Sequence, residues 1–99
     1  MDVVIGFAAE LWEHEGDAPW FFVTVPPEES EEIRELAPER RGFGSVRVEV
    51  EVGESRWRTS LFPDSKRGCY VLPVKKSVRV AEDLEEGETI DVAVRLLVE

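Results

Sequence analysis

The stretch PDSKRGCYVLPVKKSVR, residues 63–79, gathers the side chains best suited to holding an anion. Lys66, Arg67, Lys75, Lys76 and Arg79 stand there against a single acid, Asp64, and Tyr70 adds a phenol. Ammonium and guanidinium groups bind phosphate and carboxylate through charge-assisted hydrogen bonds. These six residues, Lys66, Arg67, Tyr70, Lys75, Lys76 and Arg79, are therefore the candidate ligand-binding set. The ligand class they imply is a phosphorylated or carboxylated metabolite, an acidic protein partner, or nucleic acid. The tract is conspicuous because the whole chain carries a formal net charge of -10. Residues 56–79 hold seven of the twelve Lys and Arg but one of the 22 acids, which can focus a positive potential on an acidic body. The competing reading is structural. The same cations could pair with the glutamates of residues 28–39 and 82–88, as charge runs commonly do.

Other chemistry finds less support. His14 is the one imidazole, flanked by Glu13 and Glu15. Adjacent strand residues point to opposite faces, so the three do not converge on a metal. Cys69 has basic neighbours but no histidine to activate it, and reads as a small buried hydrophobe. Ser60 has no triad partners. The glycines of GFG, Gly42 to Gly44, lack the third glycine and the following helix of a phosphate loop and read as a tight turn. Trp12, Trp20 and Trp57 read as core or hairpin partners, with Trp12 out of the inward phase of its strand and the best aromatic contact candidate. No catalytic residue, metal or cofactor is expected.

Ninety-nine residues bound the answer to one domain, residues 1–99, with one core. No apolar run approaches the roughly 20 residues of a membrane span, and the N-terminus lacks the features of a signal peptide. A single cysteine excludes an internal disulfide, and a cytoplasmic protein is the simplest expectation. The acidic balance argues against general nucleic-acid binding, since the field repels phosphate.

The elements that must position the basic tract announce themselves by period-two alternation. SVRVEVEV sets Val46, Val48, Val50 and Val52 on one face, and RWRTSLF continues with Trp57, Thr59 and Leu61 inward. Gly53-Glu54 between them suits a type II′ hairpin turn. That turn predicts a register: Val52 opposite Ser55, Glu51 opposite Arg56, Val50 opposite Trp57, Glu49 opposite Arg58. The two charge pairs give Arg56 and Arg58 a structural role and leave them out of the candidate site. Val3, Ile5, Phe7, Ala9 and Leu11 face inward on a first strand. WFFVTV forms a second, stopped by Pro26-Pro27. SEEIREL is a short helix that Ser30 can cap. GCYVLPV is a strand that Pro73 pushes toward an edge or bulge, residues 75–83 fit either a short helix or an extended arm, and TIDVAVRLLV is the last strand. Were 75–79 helical, Lys75, Lys76 and Arg79 would share one face and Val74 and Val78 would turn inward. Six short strands with one or two short helices predict a mainly β fold, a small six-stranded barrel. No sequence repeat is visible.

Taken together, FAAELWEHEGDAPWFFVTVP, then GFGSVRVEVEVGESRWRTSLFPDSKRGCYVLPVKKSVR, then LEEGETIDVAVRL resemble the DUF1905 family, a domain of unknown function. The resemblance rests on Trp20 with Pro26, SLFP at Ser60 to Pro63, Gly68, Lys75–Lys76 with Arg79, and Gly87. It departs at Glu88, where the family often has aspartate. It implies a double-split barrel, related in shape to AbrB/MazE barrels and sometimes fused to a domain associated with bacteriocin protection. It implies no activity and no catalytic residue. The expected function is thus non-enzymatic binding of an unknown anionic ligand or protein partner through the basic surface. A DNA-binding or antitoxin-like regulator of AbrB shape and an enzyme with an unrecognised site are the alternatives. A monomer and a swapped dimer both remain open.

Overall fold

The computed structural model describes residues 3–37 and 44–97. The turn expected at Gly42 to Gly44 lies outside them except for Gly44. The chain runs β1 (Val4–His14), β2 (Trp20–Thr24), α1 (Pro27–Leu36), β3 (Val46–Val52), β4 (Ser55–Asp64), β5 (Cys69–Pro73), α2 (Lys76–Ala81) and β6 (Thr89–Leu96). The strands close a barrel in the order β1-β2-β5-β4-β3-β6, antiparallel throughout. The expected mainly β, six-stranded barrel is the observed fold, and of the one or two short helices expected the described residues show two.

The alternation fills the barrel. Ile5, Leu11, Val23, Val46, Val48, Val50, Leu61, Leu72, Ile90, Val92, Val94 and Leu96 are buried in one core, and Phe7 and Ala9 pack against it. The hairpin at Gly53-Glu54 sets the register that the turn predicts, from Val52 opposite Ser55 to Val46 opposite Leu61. Gly53 has φ +57, while Glu54 is not among the residues with positive φ, which is the signature of type II′ rather than I′.

Two long strands each serve two partners. β1 pairs with β6 over Val4 to Glu10 and with β2 over Leu11 to His14. β4 pairs with β3 over Ser55 to Leu61 and with β5 over Phe62 to Asp64. The element order β-β-α-β occurs twice, as β1-β2-α1-β3 and β4-β5-α2-β6. Exchanging the two halves turns the barrel order into its own reverse. A pseudo-two-fold axis therefore relates halves that show no repeat in sequence.

The helices follow the two short strands. Pro26 is the N-cap of α1 and Pro27 opens it, where a missing amide costs nothing. Ser30 is not the cap. It lies inside the helix, fully buried, donating to the Val25 carbonyl at 2.9 Å and accepting from the Tyr70 amide at 3.0 Å. Residues 76–81 are helical, which resolves the ambiguity after Pro73. Val74 and Val78 are buried, Lys75 and Lys76 are exposed and Arg79 is half-buried. No helix of the described residues is long and apolar enough to cross a membrane.

Candidate functional site

β4 and β5 stay paired only from Phe62–Val71 to Asp64–Cys69. The next residue of β5 on that edge is Pro73, which has no amide hydrogen to donate. Beyond it the strands part, and α2 crosses from the end of β5 toward the β3–β4 turn, where Glu82 accepts from Ser55 Oγ at 2.7 Å. The gap is a cleft of about 570 Å³, within the range of roughly 300–1,000 Å³ usual for small-molecule sites.

Each side of the cleft contributes a defined group. β4 presents Trp57, Arg58 and Thr59, β5 and its exit present Pro73, Val74 and Lys75, and α2 presents Lys76 and Arg79. Trp20 and Phe21 close the remaining side from the start of β2. The Arg79 guanidinium lies over the Phe21 ring at 3.8 Å from its centroid, and its Nε donates to the Val74 carbonyl at 3.2 Å. Arg79 is therefore held in place by the wall it belongs to. Lys75 and Lys76 have no ion pair or side-chain hydrogen bond with a described residue. Among the described residues, four cations and three aromatic rings line the cleft, and no imidazole, thiol or carboxylate does.

The basic tract divides in two. Lys75, Lys76 and Arg79 meet in the cleft. Lys66 and Arg67 sit in the β4–β5 turn on the outside of the barrel. There the Asp64 carboxylate accepts from the Lys66 amide at 3.1 Å and from Arg67 Nη1 at 2.8 Å. Arg67 also covers the Trp12 ring at 5.1 Å. Tyr70 is 2% exposed and belongs to the core. It alternates with Leu72 and Val74 on the inward face of β5, a phase the sequence already contains. The pairing of Lys75, Lys76 and Arg79 with glutamates, weighed as the structural reading, is absent among the described residues; Glu82 turns to Ser55 instead.

Arg58, like Arg56, stands outside the site expected from sequence because a charge pair accounts for it. The register places it opposite Glu49 as predicted. Glu49, however, is also held by Arg95, while Arg58 lies 3.7 Å from it with 66% of its side chain exposed and is among the residues that line the cleft. Arg56 keeps its partner Glu51, whose hydrogen bond raises the guanidinium pKa. Trp20 also departs from expectation. It is 57% exposed at the cleft mouth, and its ring lies 6.3 Å from Phe22, which in turn packs on Trp12 at 5.2 Å. Trp12 donates its Nε1 hydrogen to Thr24 at 3.0 Å. The pairing of β1 with β2 sets Trp12 opposite Phe22 and His14 opposite Trp20, so these four rings form a patch on the outer face.

Groups that could do covalent chemistry are elsewhere and apart. His14 packs edge-on against Trp12 and Phe22. Cys69 is buried, its sulfur 3.6 Å from the Arg67 carbonyl. No cluster of three or more His, Cys, Asp or Glu suited to a metal occurs among the described residues.

Residues 7–94 match the family model described as Domain of unknown function (DUF1905). No curated protein matches the chain. The matched span takes in β2 to β5 and both helices whole, β1 from Phe7 and β6 as far as Val94, with all of the cleft and the divided basic tract. With most of its length under one family model, the chain belongs to the DUF1905 family.

Proposed function

We propose that this protein is a non-catalytic binding module whose ligand is anionic and whose site is the cleft between β4, the end of β5 and α2. The observation that carries the reading is the sign of the lining. Arg58, Lys75, Lys76 and Arg79 converge there without a carboxylate among the lining residues, in a chain of net charge -10. Unpaired ammonium groups beside a low-dielectric aromatic wall attract an anion more strongly than the same groups on an open surface. Trp20, Trp57 and Phe21 supply apolar area for the body of the ligand, and Thr59 one hydroxyl. The absence of imidazole, thiol and carboxylate from the lining favours binding over catalysis, since the usual general bases are missing.

Trp20 and Trp57 line the cleft, so intrinsic fluorescence reports on its occupancy. Titration with inorganic pyrophosphate and a set of phosphorylated and carboxylated metabolites should give a saturable change for at least one anion. The double replacement Lys75→Ala with Lys76→Ala should weaken that binding by tenfold or more, because each lost charge-assisted contact removes about 1.5–3 kcal/mol. Both side chains are exposed, so folding should be kept. Lys66→Ala, outside the cleft, should bind as the parent does. Equal affinity in the parent and the double variant would remove the cleft from consideration.

A further inference from the structure

The cleft is bounded by more than side chains, because one of its walls is the edge of a strand. A two-residue hairpin makes its flanking residues a hydrogen-bonded pair, so Ser55, Trp57 and Thr59 direct their backbone groups toward β3. Arg56 and Arg58 then direct theirs away from β3, into the gap where β5 has diverged. No described backbone group pairs with Arg56 or Arg58 across that edge. An unpaired strand edge is a template for another strand. Its side chains decide which strand is accepted. Arg58 flanks this edge, with Lys75, Lys76 and Arg79 opposite. Neutral strands would lose the solvation of those cations, and basic strands would be repelled.

Resting on the anion-binding reading above, we propose that the occupant of the cleft is an extended acidic peptide segment that adds as a strand to the free edge of β4. Its backbone pairs with Arg56 and Arg58, and its carboxylates meet Arg58, Lys75, Lys76 and Arg79. Main-chain pairing supplies part of the affinity and the charge supplies the selection, as in other cases of strand addition. The pseudo-two-fold axis provides an internal control. β1 pairs with β6 on one side only over Val4 to Glu10. The Leu96 amide donates to Val3 and the Leu11 amide to Glu88. Residues in that phase face β6, so the intervening Gly6 and Ala8 occupy the related edge. That edge ends at Glu10 rather than at a cationic cleft, and an acidic strand should leave it alone.

The test uses the intact protein and capped peptides of about six residues alternating glutamate and valine, the length that matches the open edge at about 3.3 Å per residue. Two further peptides carry N-methyl groups on one or the other alternate set of amides, so charge and composition stay equal. The unmodified peptide should bind, one N-methylated peptide should bind at least tenfold more weakly, and the other should bind nearly as the parent peptide does. Hydrogen exchange read by NMR should show the Arg58 amide protected on binding, with Gly6 and Ala8 unchanged. If pyrophosphate binds through Lys75 and Lys76 but the peptide does not, or if both N-methylated peptides bind alike, strand addition is overturned while the anion-binding reading stands. If neither pyrophosphate nor the peptide binds, the anion-binding reading fails and takes this inference with it.

Discussion

Ser30 shows how one buried hydroxyl joins elements that no alternation pattern connects. It bridges the Val25 carbonyl and the Tyr70 amide beneath α1, at full burial. Replacing it with alanine would leave a buried acceptor and a buried donor each short of a partner. The expected loss is about 1–3 kcal/mol, readable as a lower urea midpoint at unchanged slope, with faster exchange of the Tyr70 amide. From sequence, Ser30 reads as a residue that can cap the helix. Pro27 takes the helix start one turn earlier, because proline lacks the amide that the first turn cannot satisfy. The same scale explains the divided basic tract. Asp64 captures Arg67 three residues on, within a turn, which a sequence reading can anticipate from spacing. That Glu49 is held by Arg95 as well as by Arg58 depends on β6 lying beside β3. That neighbour is 46 residues away in sequence, and the pairwise register could not reveal it.

At the scale of elements, period-two alternation marks β1, β3, β4 and β6, because each buries one face, while β2 is legible as an apolar run stopped by Pro26-Pro27. The hairpin register followed from two turn residues. The position of α2 did not follow, since its six residues bury only Val78 and leave a weak periodic signal. Its far end is held by a particular contact instead. Glu82 reaches back to Ser55 and passes directly over Gly53, where an added Cβ would collide with the carboxylate. Gly53→Ala should therefore destabilise for two reasons. The φ of +57 strains any residue with a Cβ, at about 1–3 kcal/mol, and Glu82 must be displaced. Glu82→Ala alone should cost about 0.5–1.5 kcal/mol, the usual net value of a hydrogen bond. The collision cannot occur in the double variant, so its loss should be smaller than the sum of the two single losses by more than about 0.5 kcal/mol. Additive losses in thermal or urea denaturation would show that the contact does not hold α2 against the hairpin. Pro73 reads as an edge or bulge signal, and it does mark where β5 leaves β4. What lay beyond sequence reasoning was the consequence, because a parting of two strands becomes a cleft only when the helix that follows fails to fill it.

For the whole molecule, the question is how an anion reaches a positive cleft on a body of net charge -10. The molecule measures 32 × 30 × 22 Å, so at 0.01 M salt, where the screening length is about 30 Å, nearly every acid is felt at the cleft. At 0.15 M the length is about 8 Å, and the distant acids fade while cations in contact with the ligand do not. Added salt thus removes repulsion as well as attraction. The affinity of the cleft for a small anion should change less than about fivefold between 0.05 and 0.2 M salt, or rise. A DNA-binding barrel behaves otherwise. Release of condensed counterions would cost such a protein about 10³–10⁵ in affinity over that interval. Its cations would also need to share one face, whereas Arg67 is paired with Asp64 in the β4–β5 turn, where Lys66 also sits, and neither is among the residues that line the cleft with Lys75, Lys76 and Arg79. Titrations of pyrophosphate and of duplex DNA at several salt concentrations separate the two mechanisms. A shallow or rising dependence for the small anion, with no DNA binding even at low salt, would agree with a local site on a repelling body. Duplex binding with a steep negative slope would instead make the cleft part of a nucleic-acid surface, and the long-range acidic field would then have to be offset by a partner copy.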